Sequence, residues 1–277
     1  MTHPENPVST ALLVSTAWLA EHLDDPGIRT IDTRKGDAYG SAHIRGAVAQ
    51  GGSPFLRADS DVIGADAFAV LMSQLGVGRD TTVIAYDDGN NLFAARLWWV
   101  LKYYGHAQVK VLDGGWDRWV AEGRPVDATL AVSHTAHFET RPDAAWIAGS
   151  DYVEASIGRP ERVILDVRSD EEWYRTVATG ETPVGHVPGA VHLVWSDVLE
   201  PDSKRFKSAP ELQALFKAAG IRSPHDEVIP YCLGGIRAAH TVLALNIAGY
   251  DKVRNYEGSW AAWSREDRPI EPPQPRE

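Results

Sequence analysis

The sequence predicts an α/β protein made of two tandem domains, each a parallel sheet flanked by helices on both faces. Three observations carry that prediction. The chain repeats itself internally, short apolar runs alternate with helical patterns, and 277 residues suffice for two domains of ordinary size.

The duplication is read from ordered matches. Val83-Ile84-Ala85-Tyr86 corresponds to Val228-Ile229-Pro230-Tyr231 at an offset of 145. Gly114-Gly115-Trp116-Asp117-Arg118-Trp119 corresponds to Gly258-Ser259-Trp260-Ala261-Ala262-Trp263 at 144, as do Phe68, Leu71 and Gly76 to Leu212, Leu215 and Gly220. Ala42–Val48 matches Gly185–Val191 at 143, and Asp32-Thr33-Arg34 matches Asp166-Val167-Arg168 at 134. One insertion around Thr176–Pro183 accounts for the shorter offset at the start. A repeat near 144 residues is too long for a solenoid unit and right for a whole domain. The expected boundaries are residues 1–135 for the first domain, 136–150 for the linker and 151–277 for the second. The stretch from Arg124 to Ser150, with Pro125, Pro142 and Gly149, loses clear periodicity and reads as the connection.

Within the second copy the elements alternate. Arg162–Asp166 is a short apolar run bounded by charge, the pattern of a buried strand. Ser208-Ala209-Pro210-Glu211 is a capping box with proline in the first turn, and Leu212, Leu215 and Phe216 then share one helical face. Glu227–Tyr231 reads as a strand, Ala238–Ala248 as a helix, Lys252–Asn255 as a short strand, and Trp260–Trp263 as the opening of another helix. Strands separated by helices imply a parallel sheet covered on both faces. In such sheets ligands bind beyond the carboxyl ends of the strands.

Composition narrows the function. With 27 Lys and Arg against 38 Asp and Glu, the net charge is −11, which disfavours nucleic acid or an anionic membrane as partner. An anionic small molecule remains compatible, because a site's local field can oppose the net charge. The single cysteine excludes an intrachain disulfide and a multi-cysteine zinc site, and suits a reducing cytoplasm. Met1–Ser9 has no Lys or Arg and no apolar core, so it does not read as a signal peptide. Leu92–Leu101 contains Arg96 and is far shorter than the ~20 residues a membrane helix needs. A soluble protein is expected.

The chemistry points to Tyr231-Cys232-Leu233-Gly234-Gly235-Ile236-Arg237, where a strand meets a helix. Paired glycines let the backbone turn tightly. The helix then directs its unpaired N–H groups and positive dipole end back at the turn, forming an anion-binding concavity. A cysteine at the base of such a cradle is expected to have a depressed pKa and a populated thiolate. Leu233, Gly234, Gly235 and Ile236 supply the loop, and Arg237 adds a permanent charge.

This pattern resembles the rhodanese superfamily, and the tandem arrangement resembles the two-domain thiosulfate and 3-mercaptopyruvate sulfurtransferases. The resemblance spans essentially the whole chain. It rests on Asp166-Val167-Arg168, Gly185–Ala190, the Cys232 loop and Gly258-Ser259-Trp260. It implies that the second domain carries the nucleophile and the first is inactive, with Asp87 standing at the position of Cys232. Related phosphatases use Cys-x5-Arg, whereas Cys232 and Arg237 enclose four residues, which by resemblance fits sulfane sulfur and leaves a phosphatase or arsenate reductase on the same fold as the less favoured alternative. The implied reaction is a double displacement through a Cys232 persulfide, needing no metal or organic cofactor. The donor is thiosulfate or 3-mercaptopyruvate, the acceptor cyanide or a thiol, and a sulfur-carrier role on the same fold is the non-enzymatic alternative. Cys-Leu-Gly-Gly-Ile-Arg matches neither the Cys-Arg-Lys-Gly-Val-Thr of thiosulfate enzymes nor the Cys-Gly-Ser/Thr-Gly-Val of mercaptopyruvate enzymes. Its retained cation tilts the expectation towards thiosulfate.

Supporting residues follow from the same comparison. Glu172 is expected to pair with Arg237, and it also completes the capping box Ser169-Asp170-Glu171-Glu172. Where the family places a substrate-binding arginine this chain has Glu172, and Arg175 stands close enough to substitute. Asp166 and Arg168 are expected to form a structural ion pair at the strand end. His43 and His186 recur in both copies and read as structural, and a direct role for His240 is not expected. Trp116, Trp119, Trp260 and Trp263 also recur and read as core.

Overall fold

The computed structural model describes residues 11–50, 57–58, 61–131, 135–178 and 183–273. Met1–Ser9 and the middle of the Thr176–Pro183 insertion lie outside the described residues. The chain divides into two compact units. The first holds the first repeat through Asp143 together with Leu199–Phe206, and the second holds Ala144–Val198 and the chain from Lys207 onward.

In the first unit five parallel strands form one sheet. They are β1 (Leu13–Val14), β2 (Ile28–Asp32), β3 (Val48–Ala49), β4 (Thr82–Tyr86) and β5 (Val109–Leu112), in the spatial order β1-β5-β4-β2-β3. The helices α1 (Ala65–Gln74), α2 (Leu92–Tyr103) and α3 (Gly115–Ala121) flank it. Helix α2 contains the apolar run noted in the sequence. Its Leu97, Trp98, Trp99, Val100 and Leu101 are all fully buried. A helix apolar on every side belongs inside a protein core or a membrane, and here it packs against β4 and β5. No helix among the described residues is long and apolar enough to cross a membrane.

The second unit repeats the order with less continuous pairing. Strand β6 (Ile147–Ala148) lies within the 136–150 stretch. β7 (Arg162–Asp166), β8 (Val191–His192), β9 (Glu227–Tyr231) and β10 (Asn255–Tyr256) follow. The ladders run β8-β7-β9 and β6-β10, all parallel, and a single bridge from Val228 to Val253 links them. Besides a short helix over Ser150–Glu154, the helices include α4 (Asp170–Trp173), α5 (Ala209–Ala218), α6 (Ile236–Ile247) and α7 (Ser259–Trp263). Strand β7 pairs in register with β9 from Arg162 opposite Glu227 to Asp166 opposite Tyr231, which brings both carboxyl ends to one edge.

Three boundaries differ from those the sequence predicts. The helix expected at Ala238 begins at Ile236, because Gly235 takes a left-handed N-cap conformation and the first turn forms directly after the loop. The strand expected at Lys252–Asn255 is displaced: Val253 makes one bridge to β9, and the ladder to β6 uses Asn255 and Tyr256. This segment lies between two neighbours and serves them with different residues. The last helix opens at Ser259, not Trp260. Trp119, Trp260 and Trp263 are fully buried, but Trp116 is only half-buried and lies 4.0 Å from the Arg34 guanidinium, covering it.

At the strand ends each unit carries the same buried ion pair. Arg168 Nε and Nη2 donate to both oxygens of Asp166 at 2.6–3.0 Å, and Nη2 also donates to the Gly185 carbonyl. Arg34 repeats this on Asp32 and the Ala42 carbonyl. In the first unit the Tyr86 hydroxyl donates to Asp32 at 2.6 Å and accepts from Ile44 N–H, and Tyr231 accepts likewise from Val187 N–H. The side chains of Arg168 and Asp166 are 1% and 0% exposed, so losing one partner leaves the other as an uncompensated buried charge. Asp166→Ala is therefore expected to destabilise the second unit by about 3–5 kcal/mol. Urea unfolding against wild type reads this directly, and a loss below about 1 kcal/mol would show that the pair is not an anchor.

Candidate active site

Cys232 is the first residue after β9, at the carboxyl end of a central strand, and is 2% exposed. The loop that follows is short. Leu233 is 44% exposed, Gly234 is half-buried, Gly235 is buried, and Ile236 opens α6. Gly235 has φ +80°, and a Cβ there would meet the Glu257 carboxylate at 2.5 Å, so both conformation and space require glycine. The loop is held from below on its acceptors as well. Trp260 N–H and Ala261 N–H, in the first turn of α7, donate to the carbonyls of Cys232 and Leu233, both at 3.0 Å.

Arg237 is the second residue of α6, and its guanidinium pairs with Glu172 through two parallel bonds of 2.5 and 2.9 Å. Burial alone would lower its pKa. The Glu172 ion pair and the nearby Cys232 sulfur push it far above the ordinary arginine range, so it is permanently charged. Glu172 has both roles the sequence suggests. Its Oε2 accepts from Ser169 N–H at 3.0 Å to close the capping box of α4, while the same carboxylate holds Arg237. Burial raises the Glu172 pKa, but Arg237, the Ser169 N–H and the charge of Arg168 outweigh it and bring it down to about 2.

The other sequence-predicted residues lie as follows. Arg168 is committed to Asp166 and the Gly185 carbonyl and stacks 4.7 Å over Trp260, beneath the loop's support. Arg175 is half-buried just past the end of α4. His186 stacks on Trp173 at 3.9 Å, as His43 stacks on Tyr39 at 3.9 Å in the first unit. His240 is fully buried, with Trp195 edge-on at 5.2 Å. Among the described residues no group of three or more His, Cys, Asp or Glu could hold a metal ion.

Sequence reasoning missed Ser259. Its Oγ accepts from the Cys232 N–H at 3.1 Å and the Gly235 N–H at 3.0 Å, and donates to the Tyr256 carbonyl at 2.7 Å. The available signal was the change from Gly115 to Ser259 between the flanking glycine and tryptophan that both copies keep.

The first unit displays the same turn in an occupied state. Asp87 follows β4 as Cys232 follows β9. Its Oδ1 accepts from Gly89 and Asn91 N–H at 3.1 and 2.9 Å, and its Oδ2 from Phe93 and Ala94 N–H at 2.8 and 3.2 Å. Burial raises this carboxyl's pKa by more than the four N–H bonds lower it. Acceptance on both oxygens is the geometry of an ionised carboxylate. Phe93 and Ala94 are the second and third residues of α2. The equivalents in α6 are Arg237 and Ala238. The first loop is also one residue longer, since its helix opens at Leu92 after Asp87 and the other at Ile236 after Cys232. That locates the change of offset from 145 to 144.

Comparison with known proteins gives the same picture. The rhodanese-like domain family matches twice, at residues 15–122 and 150–266. A sulfur carrier protein of Thermus thermophilus is 36% identical, with 94% of each chain covered. A thiosulfate sulfurtransferase of Corynebacterium glutamicum is 35% identical over 97% of this chain and 91% of that one. Among solved structures, the 3-mercaptopyruvate sulfurtransferase of Escherichia coli superposes with a TM-score of 0.80 at 28% identity. That match covers 90% of this chain and 99% of the other.

The Glu172–Arg237 pair has a defined pH dependence. Because the carboxyl's pKa lies near 2 in the fold, below its ordinary 4.5, the pair stabilises fully above about 4.5 and is lost as pH falls towards 2. Glu172→Gln is expected to be less stable than wild type at neutral pH, with the gap closing across that window. Thermal unfolding at a series of pH values checks this, and a gap that stays constant through the window would contradict it.

Proposed function

Since the chain belongs to the rhodanese-like family and is a sulfurtransferase, we propose that it carries sulfane sulfur as a persulfide on Cys232, taking it from thiosulfate and passing it to cyanide or a thiol. The Cys232 thiolate attacks the outer sulfur of the donor. A new S–S bond forms to Cys232 as the donor's S–S bond breaks, and sulfite leaves with the electron pair. The acceptor then attacks the terminal sulfur of the persulfide and returns Cys232 as thiolate.

The observation that carries this reading is the loop of the first unit. There, loop and helix amides bind an anionic group at the residue after the central strand, namely the carboxylate of Asp87. The second unit has the matching helix first turn after a cysteine in place of the aspartate, with a fixed guanidinium beside it. An anionic sulfur on Cys232 suits that setting in charge and position, and amide donors prearranged around developing negative charge favour its transfer. The first unit, whose acidic residue fills its own cradle, serves no sulfur. Leu233, Gly234, Gly235, Ile236 and Arg237 form the cradle, Glu172 orients Arg237, and Arg168 supports the strand end. The retained Arg237 favours thiosulfate as donor, and the likeness to a 3-mercaptopyruvate sulfurtransferase makes that acid the second donor to test.

Intact mass spectrometry after incubation with each donor is the test. Wild type is expected to gain one sulfur, about 32 Da, which cyanide removes, whereas Cys232→Ser gains none. No gain from either donor sinks the persulfide reading, and faster loading by 3-mercaptopyruvate reassigns the donor.

A further inference from the structure

Ser259 stands at φ +52°, in the left-handed region that strains any residue with a Cβ. In the first unit Gly115 holds the matching position at φ +53°, where glycine carries no strain. The second copy therefore accepts a backbone cost at this position. The serine is fully buried, and its hydroxyl is saturated. It uses its one donor on the Tyr256 carbonyl and accepts twice, from the amides of Cys232 and Gly235. Alanine has no oxygen to offer those amides, and a β-branched threonine is disfavoured at this φ.

In the first copy a side chain has no room at this position. A Cβ on Gly115 would come within 2.6 Å of the Asp87 carbonyl oxygen and 3.1 Å of Gly89 Cα and N. The longer first loop fills that space with Gly89. The second loop is a residue shorter, and beside it the matching position carries a fully buried serine. Removing one residue and adding one hydroxyl thus occur together, at the copy that carries the cysteine.

We propose that Ser259 is the positioning residue of the sulfur site: by holding the Cys232 and Gly235 amides it turns both away from the sulfur, and fixes the loop so that the first-turn amides of α6 and the Arg237 guanidinium meet the sulfur instead. Ser259 touches no reacting atom in this scheme. The inference rests on the reading of Cys232 as the nucleophile. Together with the α7 amides on the Cys232 and Leu233 carbonyls, the hydroxyl clamps the loop through its donors and its acceptors. Without it, two buried amides lose their acceptor and the loop must turn to find others.

The test compares Ser259→Gly, which removes the hydroxyl and the strain together, with Ser259→Ala, which removes the hydroxyl alone. The rate of iodoacetamide alkylation of Cys232 is followed across pH by intact mass, together with the rate of sulfur loading. In both variants the acid limb of the alkylation profile is expected to move up by about one pH unit, because the thiolate leaves the donors that stabilise it. Sulfur loading at neutral pH is expected to fall by about tenfold or more per folded molecule. A purely structural serine would lower the melting temperature and leave the profile in place. An unmoved or downshifted profile in the two variants overturns the proposal, and so does failure of both to fold. Wild type that alkylates but takes no sulfur overturns the transfer reading alone, since the alkylation comparison still reports on Ser259.

Discussion

A helix that begins one tight turn after a buried parallel strand exposes amides that no helical carbonyl can reach, and what satisfies them shapes both halves of this protein. The first unit answers with a side chain. Asp87 turns back into its own loop and takes four N–H bonds, closing the site with a charge that belongs to the chain. The second unit places cysteine there, with the Arg237 guanidinium held beside it by Glu172. The two loops thus share a plan and differ in the residue after the strand, in loop length, and at the positions of Arg237 and Ser259.

Holding such a loop requires support that does not compete for its amides. The buried Arg168–Asp166 pair fixes the strand end and reaches the Gly185 carbonyl, while the Arg34–Asp32 pair does the same in the first unit. Helix α7 binds the loop's carbonyls through its own first-turn amides, and Gly235 lets the chain pass close to Glu257. Each device recurs in the first unit or has a recognisable counterpart there: Trp116 and Asp117 N–H bind the carbonyls of Asp87 and Asp88. Architecture is shared, and the chemistry sits in the substitutions.

Charge is arranged locally against the balance of the whole chain. A net charge of −11 would repel an anionic donor from most of the surface. At the loop, Arg237 is held by Glu172, which is itself fixed by the capping box of α4. Pairing neutralises part of that positive charge, but it also fixes a flexible side chain beside Cys232. Fixed donors stabilise developing charge better than mobile ones, because they need not reorganise as it forms.

By itself the sequence determined the duplication, the parallel α/β class, the Cys232 loop and the partnership of Glu172 with Arg237. The first three live in residue order and short spacing, which periodicity and repeat offsets expose directly, whereas the Glu172–Arg237 partnership, 65 residues apart, came from the resemblance to the family. Strand limits near Val253 escaped it, because that segment serves two neighbours and no local pattern records which residue meets which. Trp116 escaped too, since recurrence marks a position and not its depth. Only the tertiary structure decided that Asp87 fills its own cradle and that Ser259, 27 residues beyond Cys232, holds two of the loop's amides. Both facts depend on where a turn places its N–H vectors, and that direction is set by packing between segments far apart in the chain.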